Sequence, residues 1–214
     1  MSRHKRQQGF TILELLVATA VFSMVLLVIT AGILQVTRVY YKGVTESNTQ
    51  NIARSVIDVI SQSIQFGGGD VIPTTAGTAT PSAPRAFCVG NKRYTYALGW
   101  QVVDSNTPNA TQNQSHHALV LDDEAGCSAS APNDIDQAAI DGRELLGPNM
   151  RLSKLTVESA GPNLYKVVVR VVYGDNDLLK SPPTSDSTTC INERSGTQFC
   201  AISELSTVVA KRVQ

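Results

Sequence analysis

The sequence predicts an α+β fold: one long N-terminal helix, a membrane half followed by an amphipathic half, packed on an antiparallel β-sheet headpiece. Three observations predict it. Residues 10–34 form an apolar run of membrane-spanning length that contains one charged residue, Glu14. Apolar residues then recur at three- and four-residue spacing as far as Ile64, and no proline occurs between residues 10 and 66. Beyond residue 84 the pattern changes to short β-branched runs separated by Gly, Asn and Pro. The expected organisation is a leader over 1–9, a helix over 10–66, a linker over 67–84 and a β-rich headpiece over 85–214.

A chain of 214 residues suits one domain plus an appendage. Eighteen basic residues balance eighteen acidic ones, so nothing points to an extended nucleic-acid surface. Removing a tip that holds Arg3, Lys5 and Arg6 leaves 15 basic residues against 18 acidic, a net charge of −3. Abundant Thr, Ser, Val, Ala and Asn with few aromatics suit strands and loops of an exported domain better than a large enzyme core.

About 20 apolar residues suffice to cross a bilayer. The basic tip, Arg3 to Arg6, should stay cytoplasmic and place the headpiece outside. An ordinary signal peptide fits poorly. Its small-x-small candidate, Ala18-Thr19-Ala20, lies inside the apolar run, whereas a cleavage site follows it. A plain anchor leaves Glu14 unexplained, because a charge in a membrane helix costs roughly 2.5–3.5 kcal/mol on insertion scales.

Gly9-Phe10-Thr11-Ile12-Leu13-Glu14-Leu15-Leu16-Val17, after a short basic leader, resembles the processing motif of type IV prepilins and type II secretion pseudopilins. The resemblance implies that a prepilin peptidase cuts between Gly9 and Phe10 on the cytoplasmic side and N-methylates Phe10. It implies partners as well: other pilin or pseudopilin subunits, the cytoplasmic membrane and a filament assembly platform. In a filament the apolar helices pack together, and a buried Glu14 needs a partner. The freed amine of Phe10 on a neighbouring subunit is the expected one, and it would set the axial register.

Beyond Leu34, Val36, Val39, Tyr40, Val44, Ile52, Val56, Val59, Ile60 and Ile64 form an apolar stripe between polar residues. The helix should run about 57 residues, roughly 85 Å at 1.5 Å per residue. Gly32 and Gly43 weaken it by ~1 kcal/mol each, and Gly67-Gly68-Gly69 stops it. That triplet lacks the Gly-Lys-Ser/Thr of a phosphate loop. Major pilins usually carry a kinking proline where this chain has Ala31 beside Gly32. The difference favours a minor pilin or a pseudopilin. Residues 51–68, with Ala53-Arg54 before an amphipathic turn, resemble the helix end of W-type minor pilins and J-type pseudopilins.

In the headpiece, residues 86–89 and 94–103 read as strands joined by a turn at Gly90-Asn91-Lys92-Arg93. Residues 117–121 form another strand between loops at 104–115 and 122–133, and a short helix is possible over 135–146. Residues 152–157 and 164–173 form the clearest hairpin. Val167, Val169 and Val171 share one face, and Lys166, Val168, Arg170 and Val172 the other. A Pro-rich loop holds Ser181-Pro182-Pro183, and residues 204–213 read as the last strand. Four cysteines in an exported chain suggest two disulfides, for which three connectivities exist. The short separation favours Cys190 with Cys200, leaving Cys88 with Cys127; reduced, buried thiols are the alternative.

Candidate chemistry is sparse. His116-His117 could bind a metal, but Asp122, Asp123 and Glu124 are harder ligands suited to calcium. Gly174-Asp175-Asn176-Asp177 resembles half a calcium loop, with a polar hairpin loop as the simpler reading. Lys92-Arg93-Tyr94-Thr95-Tyr96 is the one basic-aromatic cluster, and an ordinary strand explains it; DNA, which some minor pilins bind during natural uptake, is a remote partner. No Gly-x-Ser-x-Gly elbow occurs, and His4, His116 and His117 are the only histidines. Neither catalysis, nor a cofactor, nor a metal site is expected. The reading is a minor pilin of a type IV filament. The alternatives are a pseudopilin of a secretion machine and, from another class, a membrane-anchored adhesin that never polymerises.

Overall fold

The computed structural model describes residues 10–73, 83–104, 114–123, 127, 135, 142–184, 187–191 and 196–212. The leader with Gly9, most of the linker, Glu124 and half of the segment expected as a short helix (136–141 of 135–146) lie outside the described residues. The chain divides into two compact units, Met1–Tyr41 and Lys42–Gln214. One element, α1 (Ile12–Phe66, 55 residues), contributes to each.

In the first unit the described residues are helix and its N-terminal approach, and every side chain is exposed. The polar residues within the apolar run look after themselves. Thr19, Ser23, Thr30 and Thr37 each donate their hydroxyl to a backbone carbonyl three or four residues back, at 2.8–3.0 Å. In hydrocarbon such groups find no water, so this internal pairing makes them compatible with lipid.

In the second unit α1 buries Thr49, Ala53, Val56, Ile57, Ile60, Ser63 and Ile64. These lie three and four apart, along one stripe. The helix stops at Gly67, whose N–H donates to Ser63 O at 2.7 Å, and Gly68 follows with φ +65°, a conformation that favours glycine.

Ten strands follow. β1 (Val71–Ile72), β2 (Arg85–Val89), β3 (Lys92–Tyr96), β6 (Leu119–Asp123) and β7 (Arg143–Glu144) form an antiparallel sheet in the order β1-β2-β3-β6-β7. β8 (Met150–Gly161), β9 (Leu164–Tyr173) and β10 (Ala201–Ala210) form a second sheet in the order β10-β9-β8, and β4 (Gln101–Val102) pairs in parallel with β5 (Gln114–Ser115). One apolar core joins the helix stripe to both larger sheets: Phe87, Tyr94 and Tyr96 from the first, Leu152, Leu155, Val167, Val169, Val171 and Val209 from the second. Phe87 stacks on Tyr94, ring centroids 4.7 Å apart, and the Tyr94 hydroxyl lies 2.7 Å from Ser63 Oγ. A phenol buried against a helix needs such a partner.

The structure departs from the sequence expectations at element ends. Part of the linker is strand, because β1 pairs with Cys88 and Val89. The β2–β3 turn is tighter than expected: Gly90 and Asn91 form it, while Lys92 and Arg93 already belong to β3. Gly90 has φ +61°, and a Cβ there would meet Gly67 O at 2.6 Å. The helix stop and the hairpin therefore approach where only glycine fits. The single strand expected over 94–103 is two. After Tyr96 the Gly99 N–H donates to Leu152 O at 2.7 Å, carrying the chain from the first sheet to the second. Asp122 and Asp123, expected in a loop, end β6, and the last strand starts and ends three residues earlier than its expected bounds. The expected faces of β9 hold: Val167, Val169 and Val171 enter the main core, while Val172 packs with Leu178, Leu179 and Cys200.

Candidate functional site

The start of α1 is the stretch singled out by its sequence. Thr11 precedes the first helical residue and Glu14 lies three positions on. The Thr11 N–H and the Thr11 hydroxyl both donate to Glu14 Oε2 at 2.9 Å, and the Glu14 N–H donates to Thr11 Oγ1 at 3.3 Å. This is a reciprocal capping box, which satisfies two of the orphan donors at the helix start. Thr-x-x-Glu before an apolar run is its sequence signature, although the charge of Glu14 alone suggests only the need for a distant partner. Both bonds to the carboxylate go to Oε2. Oε1 takes part in neither and is left for a second donor.

Behind this cap the apolar surface is open. Residues 10–44 are exposed without exception, among them Phe10, Leu13, Leu16, Phe22, Leu27 and Ile33. A window of α1 is long and apolar enough to cross a membrane, and none of that window is buried within the chain. A helix apolar on all sides requires lipid or other helices around it.

The other candidates resolve into structure. The structure joins Cys88 to Cys127 and Cys190 to Cys200, the pairing favoured by spacing. The first ties the β2–β3 hairpin to the chain after β6. The second closes the loop before β10. The half calcium loop already holds a cation: Arg151, fully buried, donates to Asn176 Oδ1 and, at 2.6 Å, to Gly174 O. Burial lowers its guanidinium pKa to about 10, partly countered by nearby Asp175. Asp175 in turn accepts from Gln101 Nε2 at 2.9 Å. Nothing in the sequence singles out Arg151, because it stands in an alternating strand, where an arginine normally faces solvent.

His117 and His116 gather no ligand set, and no cluster of three metal-ligating side chains occurs among the described residues. His117 Nδ1 instead lies 3.6 Å from Glu144 Oε2. Glu144 accepts from the N–H groups of Ala118, Leu119 and Leu146 at 2.9–3.3 Å, which clips short β7 onto β6. Burial pushes its carboxyl pKa up to about 7, against those hydrogen bonds. Lys92-Arg93-Tyr94-Thr95-Tyr96 is strand β3. Tyr94, Thr95 and Tyr96 are buried and Arg93 Nη2 pairs with Asp122 at 2.6 Å, so the cluster presents no stacking platform.

The prokaryotic N-terminal methylation motif matches residues 4–30. The match spans the basic tip, the capping box and most of the exposed apolar helix. It indicates a prepilin-like substrate of pilin or pseudopilin kind, and the apolar helix behind it is long enough to cross a membrane. No curated protein and no solved structure matches the chain.

Proposed function

We propose that this chain is a minor pilin, a structural subunit of a type IV filament with no catalytic role. A prepilin peptidase cuts between Gly9 and Phe10 and methylates the new amine. The N-terminus lies in the cytoplasm, the headpiece lies outside, and an assembly platform draws the helix from the membrane into the filament. The observation that carries the reading is the methylation motif at the head of a helix whose residues 12–44 are all exposed. Glu14 serves twice: Oε2 caps its own helix, and Oε1 receives the methylated Phe10 amine of a neighbouring subunit. Such a pair offsets two charges buried among apolar helices.

A helix that runs without interruption past Ala31 supports a minor component over a shaft subunit. The same feature suits a pseudopilin of a secretion machine, the second reading. Mass spectrometry of filaments sheared from the host tests both. This chain at a small fraction of the major subunit supports a minor pilin. Its retention in the cell envelope, with loss of exoprotein release on deletion, supports a pseudopilin. Presence in the membrane as an unprocessed monomer, with neither phenotype, leaves only the anchored adhesin.

A further inference from the structure

We infer that the headpiece binds an organic carboxylate, an anion that carries an aromatic or branched apolar group, in a cleft between the last turns of α1 and the margin of the first sheet. The cleft has a volume of about 390 Å³, an apolar lining of Val59, Phe66 and Leu121, and two cations, Lys92 and Arg143. Small-ligand sites occupy about 300–1,000 Å³. Val59, Ser63 and Phe66 lie three and four residues apart and line the cleft from one face of the helix. Ser63 is buried, and its hydroxyl lies 2.7 Å from that of Tyr94.

The two cations stand where the alternation of the sheet calls for apolar residues. Successive side chains of a strand face opposite sides. Lys92 therefore shares its side of β3 with Tyr94 and Tyr96, which enter the core against α1. Tyr94 pairs across the sheet with Leu121 of β6, and Leu121 with Arg143 of β7, so Arg143 lies on that side as well. Neither cation has an ion-pair partner among the described residues. Asp123 stands across from Lys92 and offsets one of the two charges. Burial raises the Tyr94 pKa, the Ser63 hydrogen bond and Arg143 lower it, and Asp123 raises it, so both charges act at that hydroxyl. Arg212 lies over the Phe66 ring at 5.0 Å and adds a third positive charge beside the apolar lining. The surroundings of the cleft are positive on balance.

The ligand class follows from the two kinds of lining. Arg143 and Lys92 attract an anion, and a guanidinium holds a carboxylate by two parallel hydrogen bonds. Phe66 is 56% exposed, and an inorganic anion would leave its ring, Val59 and Leu121 uncovered. A carboxylate with a side group the size of that of phenylalanine or leucine matches the charge and covers the apolar surface together. That chemistry is offered by a free small acid and by the C-terminal residue of another protein. Neither source depends on processing at Gly9 or on assembly.

The test is equilibrium dialysis of the full processed chain in neutral detergent against N-acetyl-phenylalanine, with detergent alone as the blank. Binding should saturate at one site per chain. N-acetyl-phenylalaninamide, which lacks the charge, and inorganic phosphate, which lacks the apolar group, should each compete about tenfold more weakly or worse. Lys92→Gln combined with Arg143→Gln should weaken binding by a similar factor, with the fold checked by thermal midpoint and intact disulfides. Lys166→Gln, at an exposed cation on β9, should leave it unchanged. The comparison of the three probes uses the wild-type chain and stands even if the double variant fails to fold. A peptide with a free C-terminal phenylalanine that competes more tightly than N-acetyl-phenylalanine assigns the site to a protein C-terminus; one that competes no better assigns it to a small acid. Absence of saturable binding, equal competition by the amide or by phosphate, or undiminished binding by the folded double variant would overturn the proposal.

Discussion

At the residue scale the proposed function gives Glu14 a second role beside the observed cap. Its cap needs only an acceptor oxygen, which glutamine also supplies. The proposed pairing with a neighbouring amine needs a negative charge. Glu14→Gln should therefore keep the helix start and insert normally, yet enter filaments at a small fraction of the wild-type level. Glu14→Ala should insert, fray at residues 11–14 and also fail to assemble. Normal incorporation of Glu14→Gln, read by immunoblot of sheared filaments, would show that the carboxylate serves the cap alone. Glu144 makes a second prediction. Its folded pKa, about 7, lies above its ordinary value of 4.5. A raised carboxyl contributes stability that is present below about pH 4.5 and is lost as pH rises through about 7. The full effect is at most about 3 kcal/mol. Urea midpoints of the wild type should fall between pH 5 and 8, and those of Glu144→Gln should fall less. His117, 3.6 Å away, would oppose this trend wherever it is protonated.

At the element scale α1 is one helix with two surroundings. Ile60 is fully buried in the core, while Ile33 is exposed. Ile60→Ala should lower headpiece stability by about 3 kcal/mol, and Ile33→Ala should leave it unchanged, both read by denaturant unfolding. The helix was legible in the sequence because its apolar run, its stripe and its Gly stop are all local. Its cap, Thr11-x-x-Glu14, is local as well, although the charge of Glu14 in an apolar run points only to a distant partner. The disulfides differ in the loop they close: Cys88–Cys127 spans a separation of 39 residues and Cys190–Cys200 one of 10. By loop entropy, replacing the first pair with serine should cost about 1 kcal/mol more than replacing the second. Comparable losses in thermal unfolding would mean that native-state packing around the short loop outweighs the difference in loop entropy. Strand positions in the headpiece were legible where alternation is long, as in β8 and β9. They were less so at β1, β4, β5 and β7, each two residues long and held by tertiary partners.

At the scale of the whole molecule, a headpiece closed by its own core and two disulfides continues from a helix whose first half is exposed. The parts of the site that sequence reveals are those in which chemistry is written in consecutive residues: the basic tip, Gly9-Phe10 and Glu14. Buried Arg151 within the Asp175-Asn176 loop and Glu144 against the Ala118 and Leu119 amides were not legible. Their partners lie far away in sequence, and only the fold brings them together. A headpiece of this kind can present a surface, but the work assigned to the chain begins at its N-terminus. The direct measurement is the intact mass and N-terminal sequence of the membrane-extracted chain, expressed with and without an active prepilin peptidase. With the peptidase, the chain should begin at Phe10 and carry one added methyl group; without it, the chain should retain the leader. A chain that keeps residues 1–9 beside an active peptidase, or that begins at Val21 after an ordinary signal cleavage, would contradict the account.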